Sequence, residues 1–380
     1  MKDTYKAIIK ALVYTGKIVL CCASIMITVL IFGSFLFSGS AKGVSSAGSP
    51  AEFEVIDRYD KYVNNTFSDA LDGVLSIKKV YWLSDEDVIA PEPDQDKFGE
   101  TKDPMQVQAV IDQASELLDG QRVLFDPGTE FFQNDTIRYY YDETLLVITW
   151  KIVADGSVYT LSEVKIADPS QFRRFLSDGE YSSGAKYFPS ELATTVNAVV
   201  AANGDYYAMR QMGTIVYNSQ IMRTEGTSMD CCYIDKNGDL RFFKAGEMTD
   251  PAETQKFVTE EGVRFSLAFG PILVENAELT KAKSHYPVGE AGGPNARAAI
   301  CQMGELHYLL VYSSPEPPYA KGITLDKFAN TIHSFGVDKA YNLDGGRSGA
   351  LIMNDKLINY VYEREISDII YFATAISNGD

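Results

Sequence analysis

The chain has 380 residues, of which 34 are Lys or Arg and 52 are Asp or Glu, so its formal net charge is −18. A protein this acidic repels nucleic acid and anionic lipid, which excludes nucleic acid as a partner. Hydrophobic residues make up 46% of the chain, enough for a packed globular core.

The N-terminus has the pattern of a membrane anchor. Residues 1–17 contain four lysines and one aspartate and form a basic tail. The uncharged run IVLCCASIMITVLIFGSFLFS, residues 18–38, has the length at which a helix crosses the hydrocarbon core. Because the lysines precede this run, we expect a single-pass signal-anchor helix in the cell membrane. Its N-terminus is cytoplasmic and the remaining chain is extracytoplasmic.

A cleaved signal peptide is the alternative, since Ser38, Ser40 and Ala41 are small residues of the kind found at a cleavage site. The apolar run is longer than the core of a usual signal peptide, which favours the retained anchor. A lipoprotein is not indicated, because Leu20, which is not a small residue, precedes Cys21.

After the anchor, the sequence predicts a spacer, a stalk and a strand-rich domain. Residues 39–50 are rich in Ser, Gly and Ala, as flexible linkers are. Residues 51–130 are interpreted as a helical stalk or N-terminal region. Within that region, Asp103 as the N-cap and Gly120 as the stop predict one helix. The strand-rich domain covers residues 131–380.

The first strands of this domain follow one another closely. TIRYYY, TLLVITWKIVA and VYTLSEVKIA predict strands, and Asp155-Gly156 predicts the turn between the last two. NAVVAANGDYY predicts a buried strand that ends in a glycine turn. SLAFGPILVENAEL predicts a strand that is interrupted at Gly270-Pro271.

The C-terminal part alternates strands with one clear helix. ARAAICQMGELHYLLVY predicts a hairpin that turns at Met303-Gly304. TLDKFANTIHSFG predicts an amphipathic helix that Thr324 caps and Gly336 ends, and KAYNLD predicts the next strand. The predicted fold class is therefore α+β, with mixed, strand-rich sheets, a few packing helices and one preceding transmembrane helix.

The sequence predicts no metal site and no cofactor. The three histidines are scattered along the chain, and there is no CxxC motif, so the ligand spacing of a zinc site is absent. Cys301 is a candidate partner for Cys231 or Cys232, and buried free thiols are the alternative.

Three predicted strands end with a polar or acidic residue beside glycine, or with glycine itself. The three sequences are Asn203-Gly204-Asp205, Gly270-Pro271 and Asp344-Gly345-Gly346. A buried strand holds a side chain rigidly, and glycine lets a ligand approach backbone N–H groups that bind anions. Plain turns are the alternative, because Asn-Gly and Asp-Gly are ordinary turn formers.

Five blocks occur in the order of a known family. They are NAVVAANGDYYAMRQMG, AFGPILVENAEL, NARAAI, GITLDKFANTIHSFGVDKAYNLDGGRSGALIMND and ISDIIYFA. With them the chain resembles the phosphodiester glycosidase family over roughly residues 158–375. The resemblance implies hydrolysis of a sugar 1-phosphodiester between the anomeric carbon and the phosphate oxygen. We expect the substrate to belong to a cell-surface or exopolysaccharide-type glycan.

The resemblance also implies which residues form the site. Asp344 and Asp205 are the candidate catalytic carboxylates, which stabilise an oxocarbenium-like carbon. Arg297 and Arg364 are the candidates to hold the phosphate, since guanidinium groups bind it bidentately. The full set of candidate substrate-binding residues is Asn203, Gly204, Arg297, Asn342, Gly345, Gly346, Arg347, Ser348 and Arg364.

Three departures from the family pattern support a rival function. Arg347 and Gly349 replace a glycine and a hydroxyl residue of the family. SSPEPP follows HYLLVY where many members have Asp-Gly-Arg, and VYNS stands where bacterial relatives have IRNG. Arg347 either adds positive charge to the phosphate contact or blocks the site. The alternative function is a non-catalytic, membrane-tethered polysaccharide-binding or assembly protein with the same fold.

Overall fold

The computed structural model describes residues 83, 89–225, 228–280, 292–319 and 321–376. The predicted anchor at 18–38 and the spacer at 39–50 lie outside these residues, as does the stalk as far as residue 82. Among the residues described, no helix has both the length and the apolar character of a membrane span.

Strands dominate the described chain. They are β1 Phe98–Thr101, β2 Ile137–Tyr141, β3 Leu145–Ala154, β4 Ser157–Ile166, β5 Phe172–Leu176, β6 Val200–Asn203, β7 Ile215–Tyr217, β8 Gln220–Arg223, β9 Cys231–Ile234, β10 Leu240–Phe243, β11 Phe265–Leu267, β12 Ile272–Glu275, β13 Glu278–Leu279, β14 Arg297–Gly304, β15 His307–Ser314, β16 Lys339–Leu343, β17 Leu351–Met353, β18 Lys356–Leu357 and β19 Asp368–Phe372. The α-helices are α1 Pro104–Gln113, α2 Ser115–Leu118, α3 Pro189–Thr195, α4 Pro251–Glu260 and α5 Leu325–Ser334.

Two sheets build the main body of this structure. The large sheet has nine strands in the order β1-β2-β3-β4-β15-β14-β16-β12-β13, and the small sheet has five in the order β18-β17-β6-β19-β5. A three-stranded sheet, β10-β9-β11, and the hairpin β7-β8 complete the strands. The α+β class is confirmed. The expected mixed sheets are not, because the strand pairs of the described residues are antiparallel.

The two main sheets face each other across a shared core. Val147 and Leu310 of the large sheet pack into one cluster with Val200 and Phe372 of the small sheet. Burial of each such side chain contributes about 1.5–3 kcal/mol. Because side chains alternate along a strand, both sheets also present a second apolar face.

Helices cover these outer faces. Ile148 on the large sheet packs with Ile111 of α1 and Phe328 of α5, and Ile369 on the small sheet packs with Leu192 of α3. The fold is therefore four layers deep, with helix, sheet, sheet and helix. Its two sheets hold the strand ends rigidly, and these ends carry the site.

The two helices predicted at 103–120 and 324–336 are present, and the first of them has a break. The Asp103 carboxylate accepts a hydrogen bond from Met105 N at 3.0 Å, as an N-cap does. The helix predicted to run as far as Gly120 is interrupted at Ala114, which separates α1 from α2. Thr324 caps α5 by accepting a hydrogen bond from Lys327 N at 3.4 Å.

Two strand boundaries differ from the sequence expectation. The β14–β15 turn lies at Glu305-Leu306, because a register shift between Gln302 and Gly304 carries β14 past the predicted turn at Met303-Gly304. The SLAFGPILVENAEL segment divides between two sheets, with β11 in the three-stranded sheet and β12 in the large one. The residues between them carry the chain from one sheet to the other.

The three cysteines of the described chain are free thiols. Cys231, Cys232 and Cys301 are all buried, and no disulfide joins them. Burial raises the pKa of the Cys231 thiol to about 12, so this group stays protonated and unreactive. The buried-thiol alternative is the one that the structure shows.

Candidate active site

The site forms where strand ends from both main sheets meet. In the large sheet, β16 and β14 are antiparallel neighbours and Leu343 pairs with Ala298, so the end of one strand lies beside the start of the other. In the small sheet, the end of β6 pairs with the start of β19 through Asn203 and Ile369. Asp344, which follows β16, therefore comes close to the Asn203 strand end.

Asn203 joins the two strand ends directly. Its Nδ2 donates to the backbone carbonyl of Asp344 at 2.8 Å, and its Oδ1 accepts from the Tyr312 hydroxyl at 2.9 Å. Only 2% of Asn203 is exposed. The side chain thus fixes the position of the Asp344 backbone from beneath and has little surface left for a ligand.

Asp344 lies between two adjoining cavities, which share Tyr206, Asp344 and Arg364. The acidic cavity, as we call it, has a volume of about 270 Å³ and is lined by Lys186, Asn203, Asp205, Tyr206, Met209, Asp344, Ser348, Arg364, Glu365, Ile366, Ser367 and Asp368. The arginine cavity has a volume of about 410 Å³ and is lined by Tyr206, Arg210, Phe269, Asn295, Ala296, Arg297, Asn342, Leu343, Asp344, Gly345, Gly346 and Arg364.

The two cavities differ in charge. The arginine cavity has three arginines and one carboxylate in its wall. The acidic cavity has four carboxylates and two cationic side chains. An anionic group therefore binds more favourably in the arginine cavity, where it also meets backbone beside two glycines. Asp344 is the carboxylate that borders both cavities.

The Asp344 carboxylate is partly exposed at the boundary between the two cavities. Its side chain is 17% exposed, and its Oδ2 lies 3.4 Å from Arg364 Nη2. Burial raises the pKa of Asp344, while the Ser348 hydroxyl and the arginines Arg364 and Arg210 act in the opposite direction. A carboxylate that is partly desolvated but still accessible is the kind that acts on a reacting carbon.

Aromatic rings hold two of the arginines. The guanidinium carbon of Arg364 lies 5.8 Å from the Tyr206 ring centroid, and its Nε donates to the Ser348 hydroxyl at 2.8 Å. Arg210 lies 5.5 Å from the same ring and 5.3 Å from the Phe269 ring. Cation–π contacts of this kind orient a guanidinium without neutralising its charge.

Arg297 has a more enclosed position. It is 5% exposed, and its Nε and Nη2 donate to the backbone carbonyls of Ile323 and Gly293 at 3.1 and 2.8 Å. It lines the arginine cavity, so its charge acts on that space even though its donors also hold the surrounding loops. The site residues Arg297 and Arg364 thus lie in one cavity wall.

Two glycines of the site are required by close packing. A Cβ on Gly204 would lie 1.9 Å from Asp368 Oδ2, and a Cβ on Gly345 would lie 2.5 Å from the Ala296 carbonyl oxygen. Gly346 has a φ of +56°, the left-handed region that favours glycine. Gly204 thus lets neighbouring strand ends of the small sheet pack closely, and Gly345 does the same in the large sheet.

The remaining predicted residues occupy three different positions. Asn342 Nδ2 donates to the Gly270 carbonyl at 2.8 Å, and Asn342 lines the cavity wall. Ser348 is buried and lines the acidic cavity. Arg347 is exposed, donates from Nε to the Tyr362 carbonyl at 3.3 Å and is not part of either cavity wall.

Beneath the acidic cavity lies a buried ionic triad that the sequence did not reveal. Arg174 of β5 contacts Asp205 at 2.8 Å and Asp368 at 2.6 Å, and all three side chains are fully buried. Asp205 also accepts hydrogen bonds from Tyr207 N at 2.8 Å and Ala268 N at 2.7 Å. Both Asp205 oxygens are therefore occupied, which favours a positioning role for this carboxylate.

Asp368 is the member of the triad whose hydrogen-bonding atoms are only partly satisfied. Its Oδ2 accepts from Arg174 and from Asp205 N, whereas its buried Oδ1 has no hydrogen-bond partner in the described structure. Burial raises the pKa of Asp368 to about 7, with Arg174 acting in the opposite direction. A proton bound at Oδ1 relieves the cost of a desolvated charge.

This proton makes the stability depend on pH. The folded pKa of Asp368, about 7, exceeds its ordinary value of 3.8, so its contribution to stability falls as pH rises through that range. We expect Asp368→Asn, which mimics the protonated form, to remove part of that fall. Thermal unfolding of both proteins across this range measures it. If the melting temperatures of the wild-type protein and the variant depend on pH in the same way, Asp368 stays ionised in the folded protein.

Within the described residues, no group of three His, Cys, Asp or Glu side chains is arranged to hold a metal ion.

Comparison with known proteins shows what the chain is similar to. A search of curated protein sequences finds no match. Among solved structures, the catalytic domain of zebrafish N-acetylglucosamine-1-phosphodiester alpha-N-acetylglucosaminidase, auto-inhibited by its pro-peptide, is similar at 19% identity and a TM-score of 0.49, over 60% of this chain and 82% of that one. A hypothetical protein from Synechocystis is similar at 13% identity and a TM-score of 0.45, over 62% of this chain and 64% of that one. The phosphodiester glycosidase family profile matches residues 196–373, which contain Asn203, Asp344 and Asp368. The predicted resemblance to the phosphodiester glycosidase family is thus confirmed over residues 196–373.

Proposed function

We propose that this protein hydrolyses a sugar 1-phosphodiester by breaking the bond between the anomeric carbon and the phosphate oxygen. The observation that carries the proposal is the position of Asp344 between an acidic and an arginine-lined cavity. A sugar 1-phosphodiester has a neutral ring on one side of the scissile bond and an anion on the other. The two cavities match these two halves.

The substrate lies across Asp344 in this proposal. The phosphate enters the arginine cavity, where Arg210, Arg297 and Arg364 offset its charge. The sugar ring enters the acidic cavity, whose polar wall is suited to hydroxyl groups. The anomeric carbon then lies beside Asp344, the carboxylate common to both walls.

The reaction needs no strong acid at the leaving group. As the bond from the anomeric carbon to oxygen breaks, the phosphate monoester keeps the oxygen and the bonding electrons. A water oxygen bonds to the anomeric carbon, and one water proton is released, which gives a reducing sugar. Asp344 stabilises the positive charge that develops on the carbon. The arginines stabilise the charge of the departing phosphate.

Hydrolysis of a defined panel tests the proposal. The full chain is incubated with 1-phosphodiesters of several sugars, and free reducing sugar is measured. A simple sugar glycoside without phosphate is the matched control, because it lacks the group that the arginine cavity binds. Release of reducing sugar from the diester alone supports the proposal, and no release from any diester contradicts it.

The pH profile gives a further expected result. The ionised form of Asp344 stabilises the carbon, and burial raises its pKa above the ordinary value of 3.8. We therefore expect kcat/KM to fall with decreasing pH at a higher pH than an exposed aspartate titrates. A profile that stays flat down to the ordinary range would show that Asp344 is not the group that must be ionised.

We further propose that the domain acts outside the cell from a retained anchor at residues 18–38. The lysine asymmetry of the N-terminus and the apolar run support this placement. The substrate would then be a cell-surface or exopolysaccharide-type glycan. Protease treatment of intact cells tests the topology, since it should release the domain and leave a short membrane fragment. A mature N-terminus near Ala41 would contradict the retained anchor.

The second candidate function is glycan binding or assembly without turnover. The observation that favours it is the Arg347 and Gly349 replacement beside Asp344, where the family has glycine and a hydroxyl residue. Binding of a sugar 1-phosphodiester without release of reducing sugar would select this function over the enzyme.

A further inference from the structure

An exposed strip of aromatic and cationic side chains adjoins the arginine cavity. It consists of Tyr360, Tyr362 and Arg347, and we call it the tyrosine–arginine strip. Tyr362 is 79% exposed and Tyr360 is 40% exposed, with ring centroids 6.5 Å apart in an edge-on arrangement. Two adjoining exposed rings form a surface of the kind that packs against another molecule.

The strip is connected to the site by the backbone. Tyr362 lies two residues before Arg364, which lines both cavities. Arg347 directly follows Gly346, which lines the arginine cavity, and its Nε donates to the Tyr362 carbonyl at 3.3 Å. This hydrogen bond joins the loop after β16 to the loop before β19, so the strip is a continuous surface next to the cavity.

The charge of the strip contrasts with that of the chain. The protein has a formal net charge of −18, yet the contacts of the described residues give Arg347 no carboxylate partner. With its Nε held by the Tyr362 carbonyl, its terminal nitrogens remain available to an anion. Together with Arg210, Arg297 and Arg364, Arg347 extends a positive region outward from the cavity.

We propose that the tyrosine–arginine strip binds the next unit of a polymeric substrate, a glycan whose units are joined through phosphodiesters. The Arg347 guanidinium binds the neighbouring phosphate, and the Tyr362 ring packs against the sugar of that unit. This inference rests on the proposed function, because it extends the diester that the two cavities hold. It also gives Arg347, which lies outside both cavity walls, a contact with the substrate.

Enzyme kinetics on two substrates test the inference. A small sugar 1-phosphodiester is compared with an oligomer of the same sugar units joined through phosphodiesters. We expect a lower KM for the oligomer in the wild-type protein. Tyr362→Ala and Arg347→Gln should each raise the KM for the oligomer about two- to fivefold, as the loss of an exposed contact does. Tyr362→Ala should leave the constants for the small diester unchanged.

Matched controls separate the strip from general surface effects. Tyr319→Ala removes another exposed tyrosine, 36% exposed, and Arg241→Gln removes an arginine whose side chain is 43% exposed. Neither residue is part of a cavity wall. Equal KM values for oligomer and small diester in the wild-type protein overturn the inference, as does an equal effect of the control variants.

A binding measurement keeps the test independent of turnover. The Asp344→Asn chain is titrated with the phosphate-linked oligomer and with a neutral oligosaccharide of the same sugars. We expect tighter binding of the phosphate-linked oligomer, weakened when Tyr362→Ala or Arg347→Gln is added. If no diester is hydrolysed, the proposed function fails. This titration then tests by itself whether the strip binds the phosphate-linked oligomer. Equal binding of both oligomers, or binding unaffected by the two changes, contradicts the strip.

Discussion

Asp344→Asn is expected to lower kcat about a thousandfold or more while leaving the fold intact. The amide keeps the shape of the carboxylate, and the backbone carbonyl of Asp344 still accepts the hydrogen bond from Asn203. What is lost is the negative charge beside the anomeric carbon. Because that charge acts mainly in the transition state, we expect kcat to fall and KM to change little. Steady-state kinetics on a hydrolysed diester measure both.

The control for this change is Asp112→Asn on the exposed surface of α1. Asp112 accepts a hydrogen bond from Gln108 at 2.8 Å and is not part of a cavity wall. It should retain wild-type kinetics and thermal stability. An Asp344→Asn protein that is less stable but fully active per folded molecule would mean that Asn342 to Ser348 is a plain turn and that the catalytic carboxylate lies elsewhere.

The sequence predicted the strand ends of the site because their signal is local. An apolar strand followed by an acid or an amide and glycine can be read in a few residues, as at Asn203 and Asp344. The structure places these two strand ends in contact through the hydrogen bond from Asn203 to the Asp344 carbonyl. Whether the predicted residues bind substrate stays a prediction.

The buried triad could not be read in the same way. Arg174 and Asp368 are 194 residues apart, and each lies in a strand of otherwise apolar or alternating character. Their pairing depends on β5 and β19 being neighbours in the small sheet. A charged residue within an apolar segment, as Asp368 is in DIIYF, was the available signal, since such a group requires a partner when it is buried. The order of strands, which identifies the partner, is not a local property.

Local signals also failed where tertiary pairing extends an element. Met303-Gly304 is a reasonable turn by composition, but the register shift lets β14 continue to Gly304. The expectation of mixed sheets came from predicted strands of both spacings, alternating and continuously apolar, with few helices among them. Here those strands are buried because two antiparallel sheets and their covering helices enclose them.

The second large effect is expected in stability, from Arg174→Met. The change removes the cation between Asp205 and Asp368, which are both fully buried. Breaking a buried pair from one side costs about 3–5 kcal/mol, because an uncompensated charge remains. We expect a correspondingly lower melting temperature. The loss should be greater above about pH 7, where Asp368 is ionised, and smaller towards acid, where protonation neutralises it.

Two further variants distinguish charge from packing as the cause. Arg241→Met removes an arginine that is 43% exposed and lies 3.6 Å from its carboxylate partners, so it should cost at most about 1 kcal/mol.

Adding Asp368→Asn to Arg174→Met removes one of the two buried carboxylate charges that have lost their cation. If the loss is electrostatic, this double variant is more stable than Arg174→Met alone, and its melting temperature depends less on pH. If the guanidinium matters mainly by packing on the Tyr207 ring, whose centroid lies 5.4 Å away, the second change restores nothing. The triad would then stabilise the fold by packing beneath the cavity and not by its charges. The unpartnered oxygen of Asp368 would have no effect on how stability varies with pH.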